Sequence, residues 1–490
     1  MARRLKRSSI YYWLVTKGFF PESYVLPPCF EVSAYPRFGK RYFPYTKNVF
    51  RPKVSEYLQV HFPKTDLTDR TFGIIDPEIH SDIASTIAKN WQKVLGTLFQ
   101  RDNRVFSYSF PIPLDARSIG TIGRLRGGRM IYEFIEMAEH DLASVAYRYK
   151  FVITTDVKNF YPSIYTHSIP WAIHGKKLIR RARNRYDCRY CGNRLDKLFQ
   201  NANDGCTNGI PIGPIVSDVI AEIILSDVDR RFSKQLGGDL FVVRFKDDYR
   251  ILARTEAYGR SAIKELQAAL KEHHLELNDE KTQFHKLPNG LFRNWVSEYN
   301  AANPRPKSYY DFKRFKEVYL AVVTIDRNNP GSGVIDRFLA DIVTSRYRLR
   351  VKLDARALPK IISLLLTLGD LRTKAFPKIL AVIEAILKSS FGERYAQDIE
   401  EHLTEFLKDL SRRESENKYL IAWIIYFLRA NNLDGGLRGR FKYVDPVVRS
   451  MLTSRFTHFK ACRDFTLFHG VKTASRKKSM LRHLDLFKPQ

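Results

Sequence analysis

The sequence predicts an α+β fold in which a region of strands and helices is followed by an all-helical region. Three patterns predict it. Residues 239–253 hold two short apolar stretches on either side of a polar turn, which indicates a β-hairpin. Residues 151–156 have the pattern of another strand, and residues 208–225 join a Gly/Pro loop to a helix. After residue 306 the strand pattern gives way to helical repeats.

The predicted hairpin carries two adjacent acids, Asp247 and Asp248, at its tip. Gly237-Gly238 and the polar run Arg254-Thr255-Glu256 bound its two strands. Carboxylates that close repel each other and raise each other's pKa unless a divalent cation neutralises them. Hard oxygen ligands suit Mg²⁺ or Mn²⁺, so the sequence predicts a metal site at this tip.

A third carboxylate strengthens the metal interpretation. Asp156 stands at the end of the strand predicted over residues 151–156. Two metal ions roughly 4 Å apart can activate an attacking 3′-hydroxyl and stabilise a leaving pyrophosphate, and they need acids gathered from separate strands. A lone aspartate at a strand end is usually a turn residue or a helix cap. The three acids together favour two-metal phosphoryl transfer, with Asp156, Asp247 and Asp248 as its catalytic residues.

The loop between these acids, residues 208–214, leads into a helix with an apolar face. Its glycines leave backbone open at the helix start, where a base pair could rest. Ordinary loops are built from the same residues, so the loop alone is a weak signal. The apolar residues at helical spacing are Val216, Ile220, Ile223, Ile224 and Val228.

The order of first acid, Gly/Pro loop and paired acids resembles the palm of a reverse transcriptase, over roughly residues 100–300. This resemblance predicts right-hand polymerase fingers and palm of reverse-transcriptase type, followed by an all-α helical-repeat C-terminal domain. The predicted division is an N-terminal arm and the start of the fingers in residues 1–100, fingers and palm in residues 101–300, and helical repeats in residues 301–490.

The resemblance also implies roles for further residues. Tyr161 falls where the family keeps an aromatic ring that blocks a ribose 2′-hydroxyl and so favours deoxynucleotides. Lys281 falls where the family has a lysine near the triphosphate. The implied nucleotide-binding set also contains the loop residues, and the Val157 carbonyl is a further expected metal ligand. The loop residues are Gly209, Pro211 and Gly213.

Two departures resemble one branch of the family. Most reverse transcriptases have a glutamine in the Gly/Pro loop and Tyr-x-Asp-Asp at the hairpin, whereas this chain has Ile212 and Phe245-Lys246. With the residues after Asp156, this looks like the bacterial abortive-infection and defence-associated reverse transcriptases. That resemblance implies phage defence by DNA synthesis, protein-primed in some members, on a noncoding RNA template or untemplated. It also implies a homo-oligomer.

Two alternatives stay open. One is a retron or mobile-element reverse transcriptase with conventional priming, against which Ile212 and the long helical C-terminus argue. The other is a non-catalytic RNA-binding scaffold, which the formal charge of +30 favours and the three intact acids oppose.

The composition indicates a polyanionic partner. The chain has 82 basic and 52 acidic residues, which gives the charge of +30. The basic residues are spread along the chain, and this distribution suits a long nucleic acid better than one small ligand. The expected partners are noncoding RNA, the DNA product and deoxynucleoside triphosphates. No apolar run approaches the ~20 residues of a membrane span, and five cysteines exclude a disulfide framework. We therefore expect no membrane partner and a cytoplasmic location, and the family resemblance implies that this is a bacterial cytoplasm.

Two further motifs give weaker predictions. Cys188 and Cys191, spaced Cys-x-x-Cys, could form a tetrahedral zinc site with Cys206 and His174, although a reduced polar insertion is the default interpretation of a single such motif with irregular partners. Residues 35–47 are aromatic and basic without helical periodicity, which predicts an extended arm that tracks nucleic acid or is pinned to the body. If priming is by protein, Tyr42 or Tyr45 would supply the hydroxyl.

The C-terminal region contains two similar segments. They begin at Leu358 and Phe376, each with a proline at the second position. Proline is favoured at a helix start, so both segments are predicted helices of a stacked-pair arrangement.

Overall fold

The computed structural model describes residues 5–40, 45–46, 49–50, 52–64, 68–109, 111, 139–304, 308–437, 439–459 and 464–486. A five-stranded sheet lies in the middle of the chain, with strand order β10-β7-β9-β8-β6. Strand β6 is parallel to β8, and the other neighbours are antiparallel. The predicted hairpin and the predicted strand before Asp156 are both present, and the structure makes them neighbours in the sheet. The bounds are β6 Val105–Ser107, β7 Phe151–Asp156, β8 Leu240–Phe245, β9 Asp248–Ala253 and β10 Gln283–Lys286.

Helices cover this sheet and form one hydrophobic core with it. Helix α9 follows the Gly/Pro loop as predicted, but it is buried almost all round because α2, α3, α6 and α10 also pack on it. Side-chain caps fix helix starts: Asp76 accepts from the Glu78 N–H at α2, and Thr255 accepts from the Tyr258 N–H at α10. The bounds are α1 Arg7–Thr16, α2 Pro77–Lys89, α3 Trp91–Leu98, α4 over 139–145, α5 Phe160–Ser163, α6 Ser168–His174, α7 Lys176–Ile179, α8 Cys191–Asn201, α9 Ile215–Ser233 and α10 Glu256–Lys271.

The C-terminal region is helical, as predicted. Pro359 and Pro377 occupy the first turns of α14 and α15, whose starts match the two similar segments. Helix α17 runs through the centre of this core with Trp423 and Tyr426 fully buried. Among the described helices none is long and apolar enough to cross a membrane. The bounds are α11 Asn294–Ala302, α12 Phe312–Asn328, α13 Val334–Asp341, α14 Leu358–Leu371, α15 Phe376–Leu387, α16 Ala396–Ser411, α17 Glu414–Ala430, α18 Pro446–Thr453, α19 Val471–Lys477 and α20 Met480–His483.

The N-terminal segment joins the sheet region to the helical region. Strand β1 pairs with β11 near the C-terminus, and the Tyr419 hydroxyl donates to the Tyr24 carbonyl at 2.9 Å. Hairpin β4–β5 packs against α17. In the first hundred residues, α1 to α3 belong to the sheet core, while β1, β4 and β5 belong to the helical core. The bounds are β1 Phe30–Ala34, β2 Tyr45–Thr46, β3 Val49–Phe50, β4 Leu58–Pro63, β5 Asp69–Ile74 and β11 Thr466–Phe468.

Two rings of the aromatic N-terminal stretch, Tyr35 and Phe38, lie against helix α1. The Phe38 ring is 5.4 Å from Tyr11, and the Tyr35 ring is 5.3 Å from Tyr12. Of the two interpretations of residues 35–47, pinning by aromatic side chains agrees with these contacts. The three-domain division itself stays a prediction.

Candidate active site

The three predicted catalytic aspartates lie at adjoining strand ends. Asp156 ends β7, and Asp248, which begins β9, is its direct cross-strand partner. Asp247 lies in the two-residue turn between β8 and β9, and its backbone carbonyl accepts a hydrogen bond from the Val157 N–H at 3.2 Å. Strand pairing alone thus brings the three residues together.

The carboxylates of this cluster destabilise one another's charged forms. Partial burial and the charge of Asp156 raise the pKa of Asp247. The pKa of Asp248 is raised to about 6 by desolvation and by the charges of Asp247 and Asp156. Since Asp248 is exposed at the tip, the two nearby like charges are the firmer cause. Positive charge near the cluster therefore favours its ionised form.

Lys281 supplies one positive charge to the cluster. It lies in a short 3-10 turn, Asp279–Lys281, and its Nζ donates to Asp156 Oδ2 at 2.6 Å. This hydrogen bond and the nearby carboxylates raise the pKa of Lys281. Its side chain is 58% exposed, so the amine can leave Asp156 without disturbing the core. The structure thus brings Lys281 to the acids, as its predicted role near the triphosphate requires.

The chemistry of the cluster fits a divalent cation. Asp156 Oδ1 is buried and has no hydrogen-bond partner in the described part of the chain. A bound cation would give that oxygen a partner and would lower the two raised carboxyl pKa values. Within the described residues no three His, Cys, Asp or Glu side chains already form a metal site. The aspartates are therefore neighbours through their backbones, not a converged ligand set.

Tyr161 lies beside the acids, and a hydrogen bond to helix α9 holds its side chain in place. It is buried on helix α5, and its hydroxyl donates to Asp218 Oδ1 in the first turn of α9. Lys246 Nζ donates to the other oxygen of Asp218 at 3.4 Å. Burial, Asp218 and the nearby Asp247 raise the pKa of Tyr161. The ring is thus fixed next to Asp247 with its hydroxyl turned to a protein partner.

The Gly/Pro loop is clamped between α5 and β5. The Ile210 N–H donates to the Tyr161 carbonyl at 3.1 Å, and the Ile212 carbonyl accepts from the Gly73 N–H at 2.9 Å. Gly213 has φ +116°, and a Cβ there would lie 3.0 Å from Phe72. This glycine is needed for close packing as well as for backbone conformation. Gly209 also has positive φ, and the predicted loop residues Gly209, Pro211 and Gly213 all belong to this clamp.

A buried network of charged side chains joins the β8–β9 hairpin to helix α9. Arg244 on β8 is fully buried and donates to Glu222 at 2.7 and 3.0 Å and to Asp229 at 2.6 and 2.9 Å. Its Nη1 also donates to the Lys246 backbone carbonyl at 2.9 Å, in the hairpin turn. Tyr249 completes the network by donating to Asp229 at 2.8 Å. The sequence signal for this network was an arginine inside an apolar strand.

Arg70 is a second residue that the sequence analysis missed. It lies on β5, before the described palm elements, and its positive charge acts to lower the pKa of Asp247. Arg70 is exposed, so it is available to an anion at the acid cluster. Nothing in its local sequence marks it, because only the folding of the β4–β5 hairpin brings it near Asp247.

The predicted zinc ligands do not assemble. Cys191 Sγ and His174 Nε2 are 3.6 Å apart, and the same nitrogen accepts the Gly192 N–H at 3.1 Å. Cys188 contacts the Tyr186 carbonyl instead, and Cys206 is exposed near Tyr57. No group of three or more potential ligands is found in the described ranges, which include all four residues. Four residues spaced irregularly along the chain are placed by packing, and here packing brings only two of them together.

The two candidate priming tyrosines cannot be placed. Tyr42 lies outside the described residues, and of Tyr45 only the backbone is described. Their predicted role therefore stays a prediction.

Comparisons with known proteins agree with this geometry. Residues 83–307 match a family model described as reverse transcriptase (RNA-dependent DNA polymerase). The matched range contains the three aspartates, the Gly/Pro loop and Lys281. No curated protein matches the chain significantly.

Telomerases are among the solved structures with some similarity to this chain. Apo telomerase from Candida tropicalis is 11% identical, with a TM-score of 0.36 and coverage of 80% of this chain and 71% of that chain. Telomerase from Candida albicans, in complex with a TWJ fragment of telomeric RNA, is 12% identical, with a TM-score of 0.32 and coverage of 71% and 64%. A C-terminally truncated Candida tropicalis telomerase is 13% identical, with a TM-score of 0.33 and coverage of 50% and 52%.

The fold is thus mixed α and β with a helical C-terminal region, and its acids occupy the strand ends that the sequence pattern indicated. The chain carries a reverse transcriptase domain, the nucleotidyltransferase domain of an RNA-directed DNA polymerase.

Proposed function

We propose that this chain is an antiphage-defence reverse transcriptase that makes single-stranded DNA. Synthesis would be protein-primed and would use a noncoding RNA template or none. The observation that carries the polymerase activity is the set of three aspartates on adjoining strand ends within the matched domain. The homo-oligomeric state and bacterial cytoplasmic location rest on the family resemblance alone.

Ile212 supports the departure from conventional priming. It is part-buried and packs against both the sheet core and the helical core. Its backbone bridges to Phe72 on β5, so this loop position serves the body of the protein. An apolar, packed residue here offers no side-chain hydrogen bond to a template strand, unlike the glutamine of most reverse transcriptases. The retron-type alternative requires conventional priming despite this difference.

The residue roles in this proposal follow from the site. Asp156, Asp247 and Asp248 would hold Mg²⁺ or Mn²⁺, with the Val157 carbonyl as a further ligand. Bound metal would activate the attacking hydroxyl and stabilise charge on the leaving pyrophosphate. The Lys281 amine would leave Asp156 and bind the triphosphate. The Gly/Pro loop would support the incoming base. The loop residues are Gly209, Pro211 and Gly213.

Labelled deoxynucleotides test the proposed function. The purified protein is incubated with Mg²⁺ and each nucleotide, before and after removal of co-purifying RNA, and products are resolved with and without protease. We expect label that migrates with the protein and is released by protease. Efficient extension of an annealed primer on RNA, without protein-linked label, would favour the retron-type alternative. Absence of incorporation under every condition would favour the RNA-binding scaffold.

Replacing Tyr161 by alanine should weaken selection against ribonucleotides. The ring would no longer occupy the space beside Asp247, so discrimination should fall by about 10- to 200-fold, the range that pocket shape commonly provides. The measurement is kcat/KM for a ribonucleotide against the matching deoxynucleotide. Tyr161→Phe is the control, because it keeps the ring and loses only the hydrogen bond to Asp218. Equal discrimination in wild type and Tyr161→Ala would refute the assignment.

Activity should fall as the pH is lowered through the pKa of Asp248, which is about 6. Below this pH the carboxyl group binds a proton and loses its attraction for a cation. Because metal and proton compete, raising Mg²⁺ should move the inflection to lower pH. The measurement is the pH dependence of nucleotide incorporation at two Mg²⁺ concentrations. An inflection that does not move with Mg²⁺ would count against Asp248 as a metal ligand.

A further inference from the structure

The stretch between the first acid and the Gly/Pro loop carries an unbalanced positive charge. Residues 157–186 contain no aspartate or glutamate, although 52 of the 490 residues are acidic, or one residue in about nine. A solvated face explains a single basic cluster. With no acid inside the stretch, balancing charge must come from other segments, and among the described residues only Lys176 of these bases forms such an ion pair, with Glu272. The stretch contains Lys158, Lys176, Lys177, Arg180, Arg181, Arg183 and Arg185.

Much of this charge lies on the end of α7 and the turns that follow it, residues 177–186, which we name the basic turn. The turn has a fixed shape, because buried Asn184 donates to the Leu178 carbonyl at 2.9 Å and its own backbone carbonyl accepts from Asn193 at 2.8 Å. Within the described chain no ion pair involves the turn's exposed arginines; the pairs on either side are Lys176–Glu272 and Arg189–Asp187. The exposed arginines are Arg180, Arg181, Arg183 and Arg185.

Partly exposed rings adjoin the basic turn. Tyr165, Trp171 and His274, which we name the aromatic group, have ring centroids 5.2 to 5.8 Å apart. Lys176 lies over the Trp171 ring at 4.6 Å. On the turn itself, Tyr186 is 77% exposed. Basic side chains interleaved with exposed aromatic rings suit a single strand of nucleic acid. The basic side chains bind the phosphates, and the rings stack on the nucleobases.

The aromatic group is continuous with the candidate active site. Tyr165 forms a backbone bridge with Asn208 at the start of the Gly/Pro loop, and the Gly209 N–H donates to the Ile164 carbonyl at 2.9 Å. The Tyr165 ring is 4.8 Å from His167. The hydrogen bond to Asp196 raises the pKa of that histidine, and Arg185 lies close enough for its charge to oppose this rise. One surface thus connects the loop, the aromatic group and the basic turn.

We infer that the basic turn and the aromatic group form a track for single-stranded nucleic acid outside the acid cluster. The arginines would bind consecutive phosphates, and the rings would stack on bases between the turn and the Gly/Pro loop. The track requires neither protein priming nor a role in defence, so it goes beyond the proposed function.

A binding experiment without Mg²⁺ or nucleotides tests this inference separately from catalysis. Arg180, Arg181, Arg183 and Arg185 are all replaced by glutamine in the full-length protein. Affinity for labelled single-stranded RNA and DNA oligonucleotides is then measured by fluorescence anisotropy at several salt concentrations. We expect affinity to fall at least about 10-fold near 0.1 M salt. The slope of log affinity against log salt should become shallower by up to about 3, since each phosphate contact on a single strand contributes roughly 0.7.

A matched variant separates the track from the overall charge of the protein. Replacing four exposed bases elsewhere, Arg346, Arg348, Lys472 and Arg476, by glutamine gives the same change in net charge. We expect this control to lose clearly less affinity. Equal losses in the two variants, or no loss in the basic-turn variant, would overturn the inference. A larger loss for RNA than for DNA would identify the template side of the track, and the reverse would identify the product side; both support it.

Replacing Tyr186 by alanine tests the stacking part of the track. The side chain is largely exposed, so folding should be unaffected. Affinity should fall by about 5-fold or more, because stacking on one base is worth roughly 1–3 kcal/mol. An unchanged affinity would remove Tyr186 and its stacking role from the inference.

Discussion

Replacing both Asp247 and Asp248 by asparagine should lower nucleotide incorporation by at least about 10³-fold and leave the protein folded. Asparagine keeps the shape of the side chains but removes the charges that would bind cations, and losses of this size follow removal of a catalytic group. Incorporation is measured with saturating Mg²⁺, and folding is measured by thermal unfolding. Undiminished incorporation by the double variant would refute the catalytic assignment.

The same substitution should leave thermal stability at neutral pH unchanged or raise it in the absence of Mg²⁺. Both carboxyl groups have raised pKa values, so their ionisation opposes folding. For Asp248 this cost is absent at low pH and grows as the pH rises toward about 6. A suitable control replaces Asp204 and Asp239, which are not members of the acid cluster, by asparagine. That control removes two charges as well, and it should retain incorporation.

The local features of the acid cluster could be predicted from the sequence. Short apolar stretches on both sides of Asp247-Asp248 indicate a hairpin, and such a pattern depends only on neighbouring residues. The strand ending at Asp156 was predictable for the same reason. The direct pairing of Asp156 with Asp248 was not, because register depends on which strands become neighbours.

Contacts between distant segments could not be predicted. Helix α9 was expected to bury one face, but several elements pack around it and enclose Glu222 and Asp229 as well. Those acids can be buried because Arg244 on β8 neutralises them, and the sequence does not reveal this pairing. Arg70 and the irregularly spaced cysteines illustrate the same limit. Their neighbours are decided by tertiary packing, which local periodicity does not encode.

Replacing Arg244 by methionine should destabilise the protein by about 3–5 kcal/mol. The arginine and its two acids are almost completely buried, so the substitution leaves Glu222 and Asp229 as unpaired charges in the core. The measurement is urea unfolding of both proteins. Arg254→Met is the matched control on the same hairpin, because the Arg254–Asp239 pair is largely exposed and should be worth about 1 kcal/mol or less. Similar losses in the two variants would contradict the burial argument.

The pH dependence separates lost charge pairing from lost packing. Burial already raises the pKa of Asp229 to about 6 despite Arg244, and removing the guanidinium must raise it further. The deficit of Arg244→Met should therefore shrink as the pH is lowered toward 5, where the acid can be neutral, and grow toward pH 8. A deficit that does not change with pH would point to packing instead.

Arg244 also holds the hairpin turn, and this predicts a catalytic effect beyond stability. Its Nη1 binds the Lys246 carbonyl, one residue before Asp247, and Lys246 has a positive φ of 50° that is costly for a side chain with a Cβ. Adding Glu222→Gln and Asp229→Asn to Arg244→Met should recover much of the stability, because no buried charge then lacks a partner. It should not recover kcat, because the turn still lacks its hydrogen bond and Asp247 loses its fixed position. If stability and kcat return together, Arg244 serves the fold alone; if only stability returns, it positions the catalytic hairpin.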